Sequence, residues 1–185
     1  DKTRQDAIKE VTAKWGMAQS IIGPTIVVPY INRQVDSRGQ RQMQSQVTYA
    51  TFLPELLKIS GRIDSELRYR GIFEIPVYKM SLNLSGRFLR PDFSQWSIEP
   101  NDIFWDRAYL SIYVSDAPAI TKSPTLSWNN KELGFLPGAG EIGSSQQGIH
   151  VKLAGHLDRE SFDFSFPLEL NGSISVFFTP FGRDT

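Results

Sequence analysis

The sequence predicts a mainly β domain, an antiparallel two-sheet sandwich preceded by one amphipathic helix. Two rows of alternating apolar residues carry that expectation: Tyr78, Met80, Leu82, Leu84 and Phe88 in the middle of the chain, and Phe162, Phe164, Phe166, Leu168 and Leu170 near its end. An apolar side chain at every second position is a strand with one buried face. The third observation is the 12 Phe, 6 Tyr and 4 Trp, large rigid side chains that fill the space between two β layers. An antiparallel sheet covered by a helix, an α+β arrangement, is the alternative, because one helix can cover part of a sheet face.

Taken in order, residues 1–15 place Ala7, Ile8, Val11 and Trp15 at three- and four-residue steps with charges between, the pattern of a helix with one apolar face. Gly16 is a natural stop. Residues 15–32 carry no charge, which raises the question of a membrane span. Gly16, Gly23, Pro24 and Pro29 interrupt that stretch, and the β-branched run TIVVPY reads as a strand. Residues 33–46, rich in Gln and Arg, read as an exposed hairpin loop around Ser37, Arg38 and Gly39. VTYATFLP and LLKISGRIDSELRYRGIF then return to strand composition, the second running into a polar bend. In it the basic residues Arg62, Arg68 and Arg70 are interrupted by Asp64 and Glu66, the mark of one solvated strand face.

Further on, Leu110, Ile112 and Val114 repeat the two-residue period. TLSWNNKELGF predicts a hairpin, since Asn129 and Asn130 tolerate left-handed backbone between Trp128 and Leu133. Residues 137–148 are Gly-rich without apolar period and read as a long loop. Asn171-Gly172 favours a two-residue type I′ turn leading into Ile174, Val176 and Phe178, and Pro167 fits an edge or a bulge.

With 20 basic and 20 acidic residues along the chain, no single-sign field is available to draw phosphate backbones, so nucleic acid is excluded as an expected partner. The absence of cysteine removes disulfides, thiolate nucleophiles and cysteine-ligated zinc. The opening on Asp1 rather than Met, without a signal peptide, reads as a segment of a longer protein.

Motifs that carry chemistry are sparse. Gly138, Gly140 and Gly143 reproduce the spacing of a dinucleotide-binding turn, but no apolar-periodic helix follows. His150 and His156 with Asp158 lack a spacing that defines the remaining ligands of a metal site. There is no G-x-S-x-G elbow and no Ser-x-x-Lys pair. Glu99, Asp102, Asp106, Asp158, Glu160 and Asp163 are the acidic residues from which a glycosidase-type pair would have to come. No cofactor is expected. Trp96, Trp105 and Trp128, with Tyr109 and Tyr113, can be read as a flat aromatic platform for a sugar or peptide, or as packing within a sandwich.

The residues also resemble a known family, the CreD inner-membrane proteins associated with cell-envelope integrity. The likeness is carried by AIKEV, KWG and GPTIVVPY early, FLPE and RYRGIFEIPVY in the middle, then GIHVKL and LNGSISVFFTPFG. Its most specific part is the run from Arg70 through Gly71, Glu74 and Pro76 to Tyr78. The resemblance implies a single periplasmic domain over residues 1–185, with the helix at 1–16 and the β domain at 17–185. It also implies flanking membrane helices beyond both ends, in the inner membrane of a Gram-negative bacterium, and a link to the CreBC regulon. No catalytic residue comes with it.

The expected function is therefore that of a membrane-anchored envelope component, not an enzyme, acting on an envelope protein or cell-wall component by binding. The competing reading is a carbohydrate-active or peptidoglycan-modifying enzyme built on a carboxylate pair. A substrate-loading domain of a transporter is the third.

Overall fold

A computed structural model of the chain describes residues 2–33, 46–141, 147–180 and 182. Most of them lie in strands that form two sheets, as the alternating rows require, with one helix at the start. Helix α1 (Lys2–Trp15) ends at Gly16, whose φ of +121° is backbone that glycine takes without a Cβ penalty.

The first sheet is built on β1 (Gln19–Asn32), which is buried along most of its length. On one side β1 pairs antiparallel with β5 (Tyr109–Val114), with a register shift at Gly23-Pro24. On the other side its second half pairs antiparallel with β2 (Gln46–Phe52) and its first half pairs parallel with β11 (Val176–Pro180). Beyond β5 lie β9 (Ile149–Lys152) and the two-residue β8 (Leu136–Pro137).

The second sheet runs β3-β4-β10-β6-β7, with β3 at Leu56–Arg70, β4 at Phe73–Leu89, β6 at Thr125–Trp128, β7 at Lys131–Gly134 and β10 at Ser161–Ser173. Asn129 and Asn130 connect β6 to β7 with φ of +45° and +67°, the backbone a type I′ turn needs. Pro167 stands in the part of β10 beyond the reach of β6, which pairs only with Phe164 and Ser165. Its neighbour Glu169 turns its carbonyl to that side, toward the Thr121 amide. The N–H that proline lacks is thus missing from a locally open edge.

Between the sheets, Ile26, Val28, Leu110 and Ile112 face Leu84, Phe88, Phe162, Phe166 and Leu168, all buried in one core. Apart from Ile26 and Val28 of the TIVVPY strand, these are residues of the two-residue rows, so the expected sandwich is formed and α1 covers only one end of it.

One turn expectation is overturned. Asn171-Gly172 is not a hairpin turn: β10 continues through it, pairing with Lys79 and Tyr78 of β4. The chain reverses two residues later, at Ile174 (φ +66°), and leaves for the other sheet, where β11 lies beside β1 rather than β10. The glycine serves a close approach: a Cβ on Gly172 would stand 2.3 Å from the Tyr78 ring. The loop expected at 33–46 falls almost wholly outside the described residues, although β1 and β2 do pair as a hairpin's arms. The 137–148 loop is described only at its two ends.

Candidate functional site

The segment singled out from Arg70 to Tyr78 forms the tip and returning arm of a long hairpin. Strands β3 and β4 pair without interruption from Leu56↔Arg87 to Arg70↔Phe73. Gly71 (φ +59°) and Ile72 make the connection, and glycine at the first central position is the requirement of a type II′ turn. Strand β10 accompanies β4 only as far as Ser173↔Val77. The last turns of the hairpin therefore extend past the rest of the sheet.

The two faces of this extension differ. On one, Trp15 of α1 lies under the Arg68 guanidinium, 4.8 Å from ring centroid to Cζ, with the Lys79 ammonium at 5.6 Å. Arg70 pairs with Glu10 at 2.7 Å. Residues opposite each other on paired strands share a face, so Ile75 and Val77, opposite Arg68 and Glu66, lie on this side, and both are buried. On the other face Ile63, Leu67 and Tyr69 are 50%, 51% and 67% exposed, and Ile72 at the tip is 91% exposed. Nothing among the described residues covers this row. Sequence reasoning saw the charged face of β3 and missed the apolar one. The signal was present, because Ile63, Leu67 and Tyr69 occupy the alternate positions between those charges. Exposed pairs such as Arg62–Asp64 (2.9 Å) and Arg68–Glu66 (2.6 Å) contribute little to stability in water.

Tyr78 anchors the base of the extension. Its hydroxyl donates to the Ser175 carbonyl at 2.8 Å, and its own carbonyl accepts from Trp15 Nε1 at 3.3 Å. Burial of the phenol raises its pKa above the ordinary tyrosine value. Pro76 offers its carbonyl to the Ile174 amide, and Glu74 is exposed. Of the signature residues, then, Arg70, Pro76 and Tyr78 fasten the hairpin to α1 and to the crossing between sheets.

The three tryptophans do not form one platform. Trp96 and Trp105 both touch Phe93, at 5.3 and 5.6 Å between centroids, and Trp96 also stacks on Phe52 at 5.9 Å. Trp96 keeps 43% of its surface exposed. Trp128 belongs to the core at 1% exposure, stacked on Phe162, with Nε1 donating to the His156 carbonyl at 3.0 Å. Tyr109 and Tyr113 lie on β5, where Tyr109 meets the His150 ring edge-on at 5.8 Å between centroids.

The acidic residues are dispersed. Asp102 is buried in a bidentate pair with Arg33, at 2.5 and 2.6 Å. Asp163 pairs with Arg87 at 2.9 Å, while Glu99, Asp106, Asp158 and Glu160 are exposed. Asp102 is thus neutralised by a fixed cation. Two described clefts each carry two carboxylates, Asp106 with Glu141 beside His150, and Glu55 with Asp92, and Glu141 of the first is paired with Arg107. His150 Nδ1 lies 2.8 Å from the Gly138 carbonyl, and β9 ends at Lys152, before His156. No group of three or more metal-ligating side chains occurs among the described residues. A mainly apolar cleft of about 640 Å³ is lined by Pro118, Ile120, Pro124, Phe135, Leu136 and Ile149.

These features define a two-sheet, mainly antiparallel β domain with an extended hairpin braced by an N-terminal helix. Among the described residues no helix is long and apolar enough to cross a membrane. The chain belongs to the family described as Inner membrane protein CreD, whose model matches residues 1–185. It is 27% identical over 186 residues to the Inner membrane protein CreD of Escherichia coli (strain K12). That alignment covers 98% of this chain and 39% of the relative, so the chain spans well under half of the relative's length. No solved structure matches the chain.

Proposed function

We propose that residues 1–185 are the extracytoplasmic part of a membrane-tethered envelope-maintenance protein and that they act by binding an envelope protein or cell-wall component, not by catalysis. The observation that carries this reading is the uncovered apolar row Ile63, Leu67, Tyr69 and Ile72 on a hairpin fastened by α1 and Tyr78. Water-facing apolar rows on an otherwise well-packed domain are surfaces for association. Membership of an inner-membrane family supports the tether. Trp96, half exposed over Phe52 and Phe93, is a second contact of the kind flat rings make with sugars or peptides.

The test is in-cell photocrosslinking of the complete membrane protein, with probes at Leu67, Ile72 and Trp96 and in the 33–46 and 137–148 loops. Discrete protein or glycan adducts at hairpin positions are the expected result. Absence of adducts at every probe, together with loss of the envelope phenotype in a Glu99, Asp106, Asp158 and Glu160 alanine variant, would replace binding by carboxylate chemistry. The orientation is checked separately: a thiol at Ile72→Cys reacts with a membrane-impermeant reagent in intact cells only if the segment lies outside the inner membrane.

A further inference from the structure

We propose that two copies of this chain join edge to edge along β3, antiparallel and two-fold about Leu67, so that two five-stranded sheets become one of ten. This rests on the binding reading and names one partner for the hairpin. Among the described residues no strand pairs with the outer edge of β3 over Leu56–Arg70, and the strand is exposed from Ser60 onward. With Gly71 and Ile72 as a two-residue turn, Arg70 and Phe73 are the first hydrogen-bonded pair. The even residues of β3 therefore spend their N–H and C=O on β4, and Ile63, Ser65, Leu67 and Tyr69 point theirs outward.

Charged residues on an edge usually forbid pairing. On β3 they forbid every symmetric register centred between Arg62 and Arg70 but one. A centre at Gly61 opposes no like charges either, but it pairs only Lys58 with Asp64 and sets Leu67 against Glu55, outside the apolar row. A two-fold centred on Leu67 sets Glu66 opposite Arg68 and Asp64 opposite Arg70, each pair occurring twice, with no like charges opposed. Centring on Ser65 opposes Arg62 to Arg68 and Asp64 to Glu66. Centres at Asp64, Glu66 and Arg68 set a charged residue against itself, and a centre at Ile63 opposes Lys58 to Arg68. The Leu67 register also engages the apolar row. Leu67 meets Leu67 of the second copy, and Tyr69, opposite Ser65, has Leu67 and Ile63 of the second copy as diagonal neighbours. About six outward backbone hydrogen bonds form over Ser65, Leu67 and Tyr69 of the two strands.

The 185 residues contain no cysteine, so once any cysteine outside them is replaced, single thiols report the register. In a hydrogen-bonded antiparallel pair the two Cα atoms stand about 5.5 Å apart, inside the span of a disulfide. Leu67→Cys in the complete membrane protein, oxidised in isolated membranes with copper phenanthroline, should give a disulfide-linked dimer about tenfold more efficiently than Ile63→Cys, whose thiols lie about 26 Å apart in this register. Arg68→Glu opposes acid to acid across the axis and should abolish the Leu67→Cys cross-link. Adding Glu66→Arg recreates the complementary pairs and should restore it. Equal cross-linking at 63 and 67, or no restoration in the double variant, overturns the dimer. If the 67 cross-link fails while probe adducts at Ile72 to another molecule persist, the dimer falls and the binding reading stands; if both fail, both fall.

Discussion

The hydroxyl of Tyr78, on β4 of one sheet, donates at 2.8 Å to the carbonyl of Ser175, which leads directly into β11 of the other. This bond closes the reversal at Ile174 and holds the crossing strand against the base of the hairpin.

Tyr78→Phe removes that donor and leaves a partly buried carbonyl without it. The expected loss is about 0.5–1.5 kcal/mol in urea unfolding. The pH dependence has a defined sign. Because burial raises the pKa of the folded phenol above its ordinary value of 10.0, the contribution is complete below about pH 10 and is lost as pH rises through the folded value. The Tyr78→Phe variant should lack that alkaline loss when stability is compared between pH 8 and 11.

Gly172→Ala puts a methyl against the same ring, 2.3 Å from Cζ. The ring cannot retreat without breaking its bond to Ser175, so the variant should lose about 1–3 kcal/mol by chemical denaturation. In the Tyr78→Phe background the loss should shrink, since the bond is already gone.

Trp128 and Trp96 should separate cleanly. Trp128→Ala empties a core site between Phe88 and Phe162 and should cost about 3–5 kcal/mol. Trp96→Ala, half exposed, should cost much less while reducing photocrosslinking at neighbouring probes if that ring contacts a ligand. Thermal unfolding and adduct yield measure the two effects.

Arg33 and Asp102 should be unequal despite sharing one ion pair. Arg33→Met strips the guanidinium from a buried carboxylate, whereas Asp102→Asn leaves a half-exposed cation that water can solvate. The urea midpoint should therefore fall further for Arg33→Met, and the opposite order would mean that the rest of the Asp102 surroundings carries the charge.

The two-residue periods in the sequence were enough for both sheets, since Leu84, Phe88 and the Phe162–Leu170 row are core residues in the structure. The Asn129-Asn130 turn was equally readable, because left-handed backbone selects for side chains that tolerate it. Asn171-Gly172 misled for a physical reason. A glycine that serves a turn and a glycine that admits a neighbour's ring look alike in one dimension, and the Tyr78 ring that decides the matter arrives from nearly a hundred residues away. The same limit applies to the tryptophans: composition supplied the rings, while only the packing sent Trp128 inward and left Trp96 at the surface. The apolar row on β3 was overlooked because the charges between its members dominated the reading of that stretch.

The parallel pairing of β1 with β11, from Gln19↔Val176 to Gly23↔Pro180, gives the domain a mechanical character. Tension applied through α1 at one end and through the residues beyond Pro180 at the other drags these two strands lengthwise past each other once the helix has peeled away. In that shear geometry all the ladder bonds of the pair bear load together, whereas pulling on the two arms of the β3–β4 hairpin opens bonds one at a time. Force spectroscopy on the two attachment geometries should find the first rupture at the higher force.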